Sequence, residues 1–163
     1  MGAIGLNGAS TDLHDPRERA HMAAAGWARW APIAGAAIGT HLVGGLGLLI
    51  ANRSRVTGQR GVTANTGVKA ALTLAAIAST AYSGILGAKI AEQGSAETDG
   101  ATRPSARTPA PLADAQVQLR ILQWVTPALT GALIVLGAQQ GEQQRPAEMI
   151  KGRARKALAR VHH

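Results

Sequence analysis

Residues 31–51 read APIAGAAIGTHLVGGLGLLIA, twenty-one residues without an Asp, Glu, Lys or Arg. A helix crosses a hydrocarbon core in about 20 predominantly apolar residues, and in no fewer than roughly 17. Two further charge-free runs of that order follow, at 70–88 and 121–138. Together they predict an all-α fold: an integral membrane bundle of three transmembrane helices, approached by an N-terminal tail (1–30) and followed by a C-terminal tail (142–163).

Composition agrees through its unevenness. The chain carries 17 Lys and Arg against 9 Asp and Glu, net +8, yet none of them enters the three runs. Phe is absent and aromatics are 2%, so the helices must pack by close backbone approach of Gly and Ala rather than by large side chains. No cysteine is present, which excludes disulfides, thiolate metal sites and a cysteine nucleophile. No pair of acid, base or nucleophile falls at a common depth, so the expectation is a protein that is not an enzyme and has no cofactor.

Insertion strength differs between the runs. The first and third hold eight strong apolar residues each, whereas the second holds five, Leu72, Leu74, Ile77, Ile85 and Leu86, against Thr73, Ser79, Thr80 and Ser83. At roughly 0.3–0.6 kcal/mol per strong residue, the second helix is the one that needs neighbours. A cleaved signal peptide is not expected, because the first run is long for that role and no small-x-small site follows it before Arg53.

Charge sets the orientation. The loop 52–69 has four cations and no acid, and the C-terminal tail has six against two. The N-terminal tail and the loop 89–120 hold three and four, each balanced by as many acids. Three crossings put the first pair of regions on one side, ten cations to seven, so the positive-inside rule predicts a plasma-membrane protein with its N-terminus out and C-terminus cytoplasmic. Trp27, Trp30 and Trp124 then lie at the outer interface. Met1–Ser10 read as flexible, and 92–116, with Pro104, Pro109 and Pro111 among small polar residues, as a disordered loop.

The helices carry a packing pattern. Gly35 and Gly39 form a G-x-x-x-G pair, and Ala37, His41, Gly44 and Gly45 make a second small strip on another side of the same helix. In the second run Thr73, Ala76, Thr80, Ser83 or Gly84, and Gly87 form a stripe expected to face protein, opposite Leu74, Ile77, Ala81 and Ile85. His41 is the ionisable residue at membrane depth and so a functional candidate; it either handles a proton or, as a neutral imidazole, bonds a neighbouring carbonyl or a hydroxyl such as Thr80. Pro127 removes a helical donor and crowds the carbonyl of Gln123, predicting a gentle kink.

From residue 147, Ile150, Ala154, Ala157, Leu158 and Val161 recur at helical spacing between Lys151, Arg153, Arg155, Lys156 and Arg160. A basic amphipathic helix of this kind contacts anionic lipid at the inner leaflet. Nucleic acid is not the expected partner, for want of a recognition fold or a stacking platform.

The stretches HLVGGLGLLIANRSRV, TAYSGILGAKI and LQWVTPALTGALIVLGAQQGEQQRP resemble small uncharacterised multi-pass membrane proteins of high-GC actinobacteria. That resemblance implies the membrane class and brings no activity, cofactor or site residue. The expected function is a non-enzymatic membrane component that packs through Gly-rich faces, with itself or in a larger complex. The alternative is a small transport or proton-handling protein using His41.

Overall fold

The structure, a computed structural model, describes residues 2–53, 60–93 and 96–143. Among these, four helices occur in the order α1 (Leu6–Ala9), α2 (Pro16–Ala51), α3 (Arg60–Glu92) and α4 (Ala110–Gln143), with a two-stranded ribbon, β1 (Thr98–Gly100) and β2 (Arg103–Pro104), between α3 and α4. The three long helices run up, down and up. All three are long and apolar enough to cross a membrane, as a multi-pass membrane protein requires. Their 36, 33 and 34 residues correspond to about 50–54 Å at 1.5 Å per residue, well beyond a hydrocarbon core of about 30 Å. The surplus builds a folded head at one end.

Local chemistry explains where α2 starts. The Asp15 side chain accepts from the Arg17 N–H at 2.9 Å, and Pro16 takes the first helical position, where its missing donor costs nothing. The helix thus begins fifteen residues before the expected span, and much of the supposed tail is its first turns. Asn52 closes it, donating from Nδ2 and from its backbone N–H to the Leu48 carbonyl.

The head is where the structure departs most from expectation. Residues 92–116 were expected to be disordered, yet they hold the antiparallel ribbon and the first turns of α4. Polar anchoring does the work that apolar content does not. Gln116 Nε2 donates to the carbonyls of Gly100 (2.9 Å) and Ala101 (3.2 Å), and Ser105 and Thr108 hydroxyls both donate to the Glu97 carbonyl. Beneath these, Ala20, Leu86, Ile90, Leu112 and Ala115 form a small buried core joining α2, α3 and α4. Residues expected to be flexible also pack: Leu6 of α1 lies on α2 at Gly26, where any side chain would come within 2.7 Å of it. Gly100 is held to the same standard by Thr11, whose methyl would stand 2.8 Å from a Cβ there.

Below the head, α3 and α4 pack along their length. The Ser79 and Thr126 hydroxyls meet across them at 2.8 Å, and higher up, within the head, the Tyr82 hydroxyl donates to Gln118 Oε1. By contrast, α2 leaves the pair: Ile33, Leu42, Val43, Leu46, Leu48, Leu49 and Ile50 are all exposed. Pro127 sits inside a continuous α4.

Candidate functional site

Two regions carry the chemistry: the free length of α2 and a cleft in the head. On α2, an added Cβ at Gly35, Gly39, Gly44 or Gly45 meets nothing within 4 Å. The close-approach surface of this helix is therefore unused among the described residues. His41 stands on the same exposed length, in the strip of Gly44 and Gly45, and has no hydrogen-bond partner among the described residues. Thr80, the hydroxyl expected to meet it, donates instead to the Ala76 carbonyl of its own helix at 2.8 Å.

In α3 the small-residue stripe is divided. Ala76 is buried and Thr73, Thr80, Ser83 and Gly87 are half-buried, whereas Gly84 is exposed with open space around it. Leu74, Ala81 and Ile85 are exposed, and Ile77 is half-buried. The expected lipid contacts at Lys151, Arg153, Arg155, Lys156 and Arg160 lie outside the described residues.

The cleft was not anticipated. It has a volume of about 310 Å³ and lies between α1, the turn from β1 to β2, and α4, lined by Asn7, Thr11, Arg103, Arg120, Gln123 and Trp124 among others. A relay fixes its polarity. The Trp27 indole can only donate, and it donates to Asn7 Oδ1 at 2.8 Å. The amide nitrogen of Asn7 then points the other way and donates to Gln123 Oε1 at 3.1 Å. The Gln123 NH₂ makes no bond among the described residues. Arg120 is oriented by two bonds, Nε and Nη2, to the Thr102 carbonyl at 3.0 and 2.9 Å, and Arg103 makes no side-chain bond among the described residues. Among the described residues no Asp or Glu lines the cleft. The Glu97 carboxylate is engaged by Arg17 (3.4 Å) and Arg107 (3.2 Å), neither of which lines it. The side-chain nitrogens that make no bond in its walls are all donors: the Arg103 guanidinium, Nη1 of Arg120 and the Gln123 NH₂. Single-sequence reading missed it because Asn7, Arg103 and Gln123 are far apart in the chain, and no local spacing joins them.

Among the described residues no cluster of His, Cys, Asp or Glu is arranged to hold a metal ion. No protein-family model, curated protein or solved structure matches the chain. The resemblance to actinobacterial membrane proteins therefore rests on the quoted stretches alone.

Proposed function

We propose that this chain is a non-enzymatic plasma-membrane protein that works as an assembly component, its N-terminus outside, with α2 as the helix through which it associates with a second copy or a larger membrane complex. The carrying observation is the state of α2 beyond the head: its large apolar residues at Ile33 and from Leu42 to Ile50 are exposed and a Cβ at Gly35, Gly39, Gly44 or Gly45 meets nothing among the described residues, beside a pair of helices that do pack. Without a hydrophobic driving force between helices in lipid, close approach over small residues is a principal source of association. His41 adds to the argument. A polar side chain at membrane depth needs a partner, its own chain offers none among the described residues, and a neighbouring helix against the Gly44 and Gly45 strip would bring backbone carbonyls within reach. Anionic lipid at the C-terminal cations is the accompanying proposal on the cytoplasmic side.

Gly39→Leu and Gly44→Leu test this reading, because a Cβ at either position meets nothing within 4 Å among the described residues. Light scattering in mild detergent should show loss of the assembled species with insertion preserved. Assembly unchanged in both variants would refute the role of α2.

A further inference from the structure

We propose that the head cleft binds the phosphate of an anionic membrane lipid headgroup. The donors are those left over by the head's own bonding: Nη1 of Arg120, whose other two nitrogens hold the Thr102 carbonyl, and the guanidinium of Arg103 and the NH₂ of Gln123, neither bonded among the described residues. Hydrogen bonds in which both partners are charged are the strong ones, and arginine's planar fork suits phosphate oxygens. A wall with no carboxylate favours an anion. The volume of about 310 Å³ lies at the lower end of small-ligand sites, roughly 300–1,000 Å³, which suits a headgroup.

Placement selects a lipid over a free anion. The cleft is built at the boundary where α4 passes from the head into its charge-free run: Arg120 is the last cation before it, and Trp124, in the cleft wall, is 56% exposed beside exposed Ile121 and Val125. Trp27, tied through Asn7 to Gln123, marks the same level on α2. Tryptophans of this kind sit at headgroup depth, so a phospholipid with its chains along Ile121 and Val125 would present its phosphate at the cleft. This site lies at the head end of the helices, where α4 begins. It rests on the membrane placement of α2–α4 and is independent of association through α2.

The test is a calorimetric titration of the full chain in a neutral detergent with a short-chain phosphatidylglycerol below its micellar concentration, and in parallel with inorganic phosphate. The Arg103 side chain makes no bond among the described residues, so Arg103→Gln keeps the backbone pairing of the ribbon. It should weaken phosphatidylglycerol binding about tenfold, the loss of one charged hydrogen bond, with Arg103→Lys recovering part of it. Arg107→Gln, outside the cleft, should bind as wild type. Wild-type affinity in Arg103→Gln, or an equal loss in Arg107→Gln, would overturn the proposal. Inorganic phosphate that binds with the same Arg103 dependence and displaces the lipid would overturn the lipid source. Release of the chain from membranes by alkaline carbonate would refute the membrane placement itself, whatever Arg103 does.

Discussion

Gln116 offers the sharpest test of how the head is held. It is fully buried, and its Nε2 donates to the carbonyls of Gly100 and Ala101, both in buried residues. Gln116→Met keeps an unbranched side chain of similar length and removes both donors. Each buried acceptor left without a partner costs about 1–3 kcal/mol. Against two such losses stands one gain, because Gln116 Oε1 is itself buried without a partner and disappears in the variant. The net destabilisation should be about 1–3 kcal/mol, confined to the ribbon. Hydrogen exchange read by mass spectrometry is the assay: amides of residues 98–104 should exchange roughly 5- to 150-fold faster, while those of 72–80 in α3 stay as they were. A folded variant with unchanged exchange across 98–104 would refute the assignment of Gln116 as the residue that orders this segment.

Two further outcomes are expected. Ser79→Ala and Thr126→Ala, combined in a double-mutant cycle followed by denaturation in detergent, should show a coupling of about 0.6 kcal/mol, the usual worth of an interhelical hydroxyl bond in a bundle; a coupling near zero would mean that the 2.8 Å contact does not hold α3 to α4. The chain has no native cysteine, so single cysteines report its topology: a thiol at Ser105 should label from outside and one at Ser54 should not, and the reverse would invert the orientation.

The three charge-free runs made the long helices legible, since nothing but a span or a deep core tolerates so long an absence of charge. The helix starts were half legible. Asp15-Pro16 is an N-cap followed by a first-turn proline, a signal that places the beginning of α2 well before residue 31. The ribbon was not legible at all, because its order comes from Gln116, Ser105 and Thr108 bonding to backbone carbonyls, and the composition of such a segment is that of a linker. Low hydrophobicity argues for disorder only when polar groups have nowhere to bond except water. Here the head supplies the partners.

Register between the helices was equally hidden, and it changes what each residue's depth means. Ser79 lies level with Thr126, and Tyr82 reaches Gln118, so the upper part of the run 70–88 belongs to the head, where Leu86 is buried in the small core. To match the depth that α4 spans, α3 must contribute residues nearer its start. Lys69, expected in a loop, lies ten residues from Ser79, about 15 Å along the axis, and joins His41 as an ionisable residue at that depth. Lys69 is half-buried, as are Asn65, Thr73, Thr80 and Ser83, and Ala76 is buried; they recur at three- and four-residue steps as a stripe along one side of α3, beside buried Ser79, which meets Thr126 of α4. A helix this polar is costly to expose to lipid, and it becomes tolerable only with that stripe covered. In a membrane, covering that stripe would couple insertion of α3 to its pairing with α4. In a bilayer the two would enter as a hairpin with its polar side closed, while α2, whose polar residues below Trp30 are Thr40 and His41, carries no such stripe to cover.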